Sequence, residues 1–110
     1  MRLGFVVLFL ISLSGNSWAT AYQIFGAGNW SCATWLSTPA YENQGRIWLF
    51  GFWTGLNNQM ANEGTSGETG KSTDGNGIVG EVKKLCREHP SESLIEATRN
   101  VYDSFLKAGK

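Results

Sequence analysis

The chain has 110 residues, nine Lys and Arg against nine Asp and Glu, and one histidine, so its formal net charge is zero at neutral pH. That balance, with no charge block longer than Lys83-Lys84, excludes the basic footprint of a nucleic-acid binder and the polybasic face of a membrane-surface protein. A chain of this length supports one domain.

At the N-terminus a single cation, Arg2, precedes an apolar run from Leu3 to Leu13 that only Gly4 and Ser12 interrupt. The run is too short to span a bilayer. Ser17-Trp18-Ala19 then places small residues where a signal peptidase accepts them, so residues 1–19 are expected to be a leader cleaved after Ala19, with Ala21 as the alternative. An uncleaved anchor or a buried core helix is the competing reading. Cleavage makes residues 20–110 a periplasmic or secreted domain, with no membrane attachment and a net charge of about −1.

A domain of that size buries only about 60–65% of its unfolded surface and is marginal without a covalent or bound staple. Two cysteines remain, Cys32 and Cys86, an even count in an oxidising compartment, and they are expected to form a disulfide. Closing a loop of about 55 residues is worth on the order of 4 kcal/mol in the chain-entropy model. A metal site would need three or four ligands and finds only His89 to add, while a reactive thiol would need a base beside it.

In chain order, residues 20–30 read as an irregular lead-in. Ser31 can cap a short helix that buries Trp35 and Leu36 and stops at Pro39. From Glu42 to about Asn62, Leu49, Phe52, Trp53, Leu56 and Met60 recur at helical spacing and mark a central helix. Gly51 and Gly55 stand four apart on it, leaving a strip bare of side chains for close helix packing. Such a strip can also pair two copies of a chain. The polar residues Arg46, Asn57, Asn58 and Gln59 make packing within the chain the expected use.

Residues 63–77 hold five glycines and no apolar side chain, and read as a flexible loop. Asp74 or Asn76 can cap the third helix, whose buried side is Ile78, Val79, Val82, Leu85 and Cys86 and which ends at Glu88-His89-Pro90. Ser91 is the expected cap of the last helix, with Glu92 in its first turn. Its core stripe is Leu94, Thr98, Val101 and Phe105, and Gly109 closes it. No segment alternates with a period of two, so the fold class is all-α, a single-domain bundle of about four helices with one disulfide.

Motifs that could carry chemistry fail on their own terms. Gly67-Glu68-Thr69-Gly70-Lys71-Ser72 resembles the end of a phosphate-binding loop, but Thr65 stands where the motif's first glycine belongs and no apolar strand precedes it. Asp74-Gly75-Asn76-Gly77 opens like a calcium loop, then places Ile78 at the fifth position and no glutamate at the twelfth. His89 reads as a helix-end cap and Glu92 with Glu96 as solvated carboxylates, while Asn29-Trp30-Ser31 fits a glycosylation sequon. No catalytic residue, metal or cofactor is therefore expected. The remaining signal is aromatic: Trp30, Trp35, Trp48 and Trp53, with Phe50 and Phe52, are more than so small a chain readily buries. The helix stripe leaves Trp48 and Phe50 outside it, either as a surface for a protein partner or under helices that cover them from both sides.

Two groups of proteins share these landmarks. Trp30-Ser31-Cys32 and the helix from Gly77-Ile78 to Cys86 resemble the acid-stress periplasmic chaperones of the HdeA type. Gly51-Phe52-Trp53-Thr54-Gly55 and Cys86-Arg87-Glu88-His89-Pro90 resemble the immunity proteins that neutralise type VI secretion amidase effectors. The resemblance covers roughly residues 30–106. It implies a non-enzymatic periplasmic protein that binds another protein. The partner is a secreted effector in the immunity reading and an unfolded client in the chaperone reading, where a homodimer would open in acid. Full protonation of nine carboxylates and His89 would carry the mature chain to about +9.

Overall fold

Four α-helices follow one another in residues 21–110, the part of the chain that the computed structural model describes: α1 (Cys32–Trp35), α2 (Pro39–Asn62), α3 (Gly75–Glu88) and α4 (Leu94–Lys107). The leader read over residues 1–19 lies outside the described residues. Each helix begins at a side-chain cap. Ser31, Thr38, Asp74 and Ser93 accept hydrogen bonds from the backbone N–H groups of Thr34, Tyr41, Gly77 and Glu96, which have no partner inside the helix. Among the described residues there is no strand, and the chain is an all-α domain with one disulfide.

Several boundaries move from their expected places for local reasons. The central helix α2 starts at Pro39 rather than Glu42, because proline lacks the N–H that a first helical residue leaves unused. Asp74 takes the α3 cap, and Asn76 lies inside the helix, where its Oδ1 accepts from Arg46. Ser93 replaces Ser91 as the α4 cap, with Glu96 rather than Glu92 in the first turn, because residues 90–92 form a strap against α1. Cys32 N–H donates to Glu92 O at 2.7 Å, Ala33 N–H to Pro90 O at 2.9 Å, and Leu94 N–H to Trp30 O at 2.8 Å. The same strap explains the isolated antiparallel bridge between Ser31 and Ser93.

The core gathers Leu49 and Trp53 from α2, Ile78, Val79, Val82 and Cys86 from α3, and Leu94, Ala97, Val101 and Tyr102 from α4 around Trp35. Phe52, Leu56 and Met60 of the expected α2 stripe are half-buried at its margin. Cys32 and Cys86 are bonded across this centre with Cα atoms 5.0 Å apart, tying α1 to the last turn of α3. Trp35 is fully buried, and its indole N–H donates to Glu42 O at 2.9 Å. The ring rests on Gly45, where a Cβ would stand 2.2 Å from two of its atoms.

Among the described residues Gly51 and Gly55 do not pack helices, contrary to expectation. Both are exposed, and no described atom would lie within 4 Å of a Cβ on either one. They sit on the side of α2 away from Gly45, Leu49 and Trp53, the residues that face the bundle. The close approach expected at 51 and 55 occurs at Gly45.

The segment 63–77 is not a free loop either. Thr69 and Gly70 are buried, and Thr69 O accepts from the Trp53 indole at 2.8 Å and from Asn57 Nδ2 at 3.1 Å. Asn57 Oδ1 accepts in turn from the Tyr102 hydroxyl at 2.8 Å, and Gly70 N–H donates to Lys110 O at 3.3 Å. Backbone polar groups drawn under a bundle must find partners, and here α2 and the chain end supply them, with Tyr102 of α4 holding Asn57 in place. Gly109, at a φ of +68°, lets the end turn back, with Lys110 N–H on Phe105 O at 2.9 Å.

Candidate functional site

Trp48 and Phe50 do not form one surface. Two residues along a helix are separated by about 200°, so their side chains leave α2 on opposite sides. Phe50 is half-buried against the start of α3: a Cβ on Gly75 would be 2.8 Å from its ring, and the Arg46 guanidinium lies 5.3 Å from its centroid. Arg46 is held there by Asn76. Phe50 thus braces the N-terminus of α3.

Trp48 faces the lead-in. Residues 26–29 form a 3-10 turn with Ala27 and Gly28 buried, more order than the expected irregular segment. The Trp48 ring fills the space beside Gly28, where a Cβ would stand 2.1 Å from it. Its indole N–H donates to Phe25 O at 2.9 Å. One turn further along α2, Phe52 stacks on Trp48 with centroids 5.1 Å apart and planes 15° from parallel. The two rings make a platform, and the lead-in lies across one end of it.

Above that platform the lead-in leaves apolar groups in solvent. Phe25 is 80% exposed and Tyr22 61%, the former being the most exposed large hydrophobic residue among those described. With Ile95 and Arg99 of α4 on the far side, these residues enclose an open cavity of about 350 Å³. The Arg99 guanidinium lies 5.8 Å from the Phe52 centroid, and among the described residues it enters neither ion pair, which are Lys71 with Glu68 and Lys83 with Glu42. Of this group the sequence pointed only to Trp48 as surface, and it assigned Phe52 to the buried stripe of α2. Phe25 and Tyr22 sit in a segment with no periodicity, and Arg99 lies outside the core stripe of the last helix.

The other candidates resolve into structural roles. Asp74 caps α3 through Gly77 N–H at 2.9 Å, and Lys71 pairs with Glu68 at 3.2 Å in the turn that resembled a phosphate loop. His89 is exposed at the α3 C-cap, its backbone N–H on Leu85 O. Glu92 accepts from Asn100 Nδ2 at 3.2 Å and Glu96 faces solvent. Among the described residues no three His, Cys, Asp or Glu side chains converge as metal ligands would, and no helix is long and apolar enough to cross a membrane.

No protein-family model, curated protein or solved structure matches this chain.

Proposed function

We propose that this chain is a protein-binding protein of an oxidising extracytoplasmic compartment, an inhibitor in the manner of the amidase-immunity proteins, and that it engages its partner through the face formed by Tyr22, Phe25, Trp48 and Phe52. The observation that carries this reading is the exposure of Phe25 over a stacked Trp48–Phe52 pair. A large aromatic left in water beside other aromatic groups is stable only as an exception to burial, and such clusters are where protein interfaces place their anchors. The disulfide fits the compartment. Trp48 remains in the proposed surface, whereas Phe50, turned to α3, is left out of it.

A tagged full chain, exported by its own leader and recovered from periplasm, tests the proposal. The wild type is expected to carry a stoichiometric hydrolase, with that enzyme's turnover suppressed in the complex. Phe25→Glu is expected to lose it while keeping its helical circular dichroism. A turnover of its own that disappears in His89→Ala would overturn the reading. Suppression of client aggregation at about pH 2–3 would replace the inhibitor with an acid-stress chaperone.

A further inference from the structure

We infer that the cavity beside Trp48 takes a partner segment in which an aromatic or aliphatic side chain adjoins a carboxylate, the apolar group seated against Phe25 and Phe52 and the acid held by Arg99. This deepens the protein-binding reading above and rests on it.

The charge of the cavity selects the sign of the partner. Among the described residues Arg99 is the one charged side chain on its wall; the others that line it are aromatic, aliphatic or, in Gln23, neutral and polar. Glu96 and Asp103 flank Arg99 on the same helix, yet neither lies within ion-pairing distance of it. Its Cζ lies 5.8 Å from the Phe52 centroid, and among the described residues no side chain accepts from its N–H donors, which are left for an acceptor. A carboxylate fits that fork bidentately, with a geometry that a backbone carbonyl does not match. A cationic segment would meet an uncompensated like charge.

The cavity's shape selects the neighbouring group. Its volume, about 350 Å³, lies at the low end for pockets that enclose a ligand, and it is open along one side. An extended segment therefore enters by side chains and leaves its backbone outside. The platform under it is rigid: Trp48 is fixed by its hydrogen bond to Phe25 O and by contact with Gly28, so an aromatic or aliphatic side chain buries apolar area without first ordering the site.

The test is a nuclear magnetic resonance titration of the nitrogen-15-labelled full chain, exported by its own leader, followed at the Trp48 indole N–H and the Arg99 Nε–H. Three blocked pentapeptides serve as probes: Gly-Asp-Phe-Asp-Gly, Gly-Lys-Phe-Lys-Gly and Gly-Asp-Ala-Asp-Gly. The first is expected to shift both signals saturably, with the other two weaker by about tenfold or more. Arg99→Glu, a surface change on α4, should invert the preference toward the lysine peptide, and Arg99→Lys should keep it with reduced affinity. Equal response to all three peptides, no response to any, or an acidic preference that survives Arg99→Glu overturns the inference. Phenylacetate saturating the same signals as tightly as the peptide would overturn it as well, making the cavity a small-molecule site. The two proposals fail separately: a periplasmic complex that withstands Arg99→Glu retains the protein-binding reading and rejects this one.

Discussion

The indole of Trp35 occupies the space that a side chain on Gly45 would need, with a Cβ at that position standing 2.2 Å from the ring. This contact holds α1 against α2 next to the disulfide, and both residues are buried. Gly45→Ala is therefore expected to lower the free energy of unfolding by about 1–3 kcal/mol, although alanine is the better helix former. Gly51→Ala and Gly55→Ala meet open space and should each raise it by about 0.5–1 kcal/mol. Urea unfolding of the three variants gives the comparison. Equal effects at all three positions would show that Trp35 does not rest on Gly45.

Asn57 joins three elements through one side chain, donating to Thr69 O and accepting from Tyr102. Asn57→Ala leaves the Tyr102 hydroxyl without its acceptor in a nearly closed site, at a cost of about 1–3 kcal/mol. Tyr102→Phe removes the donor instead and should cost less, since Asn57 keeps its bond to Thr69. Tryptic cleavage after Lys71 should quicken in Asn57→Ala and change little in Tyr102→Phe. If cleavage is already fast in the wild type, the segment 63–74 is not held as described.

The disulfide crosses the protein's centre, with both sulfur-bearing side chains buried. Natively folded, oxidised protein should show no titratable thiol and should resist mild reductant until denaturant opens the fold. A Cys32→Ala, Cys86→Ala double variant should unfold at lower urea, with a loss on the order of 4 kcal/mol in the loop-entropy estimate. Two thiols in the native oxidised preparation would contradict the bridge and reopen the nucleophile reading.

Gly28 lies against Trp48 so closely that any side chain must push the lead-in off the platform. Gly28→Ala is expected to shift the Trp48 indole proton as its bond to Phe25 O lengthens, and, under the proposed function, to weaken partner capture as is expected of Phe25→Glu. Global stability should fall by about 1–3 kcal/mol. An unchanged indole signal would mean that the lead-in does not lie where Trp48 holds it.

Leu49 and Trp53, four apart, mark the buried side of α2, and Val79, Val82 and Cys86 mark that of α3, because helical periodicity is a local property. Ser31 as a cap and Gly109 as a helix end were readable for the same reason: their partners lie within a few residues. The Cys32–Cys86 pairing followed from there being two cysteines. The cap at Ser93 was missed because the strap to Trp30 and Cys32, some sixty residues earlier, competes for residues 90–92.

What only the tertiary structure decided is which surplus groups meet. Glycine in a helix announces close packing without saying whether a ring will stand there, so Gly51 and Gly55 looked like the packing pair while Trp35 chose Gly45. The glycine-rich segment looked mobile because its composition has no apolar anchor. Its anchor is backbone, the Thr69 carbonyl, which composition does not register. The aromatic cavity draws Phe25, Trp48, Phe52 and Arg99 from three separate stretches. The sequence alone determined the four helices, the cap at Ser31 and the disulfide, since these depend on neighbours or on a count. The arrangement of the candidate site depended on long-range contacts between side chains whose local patterns carry no record of one another.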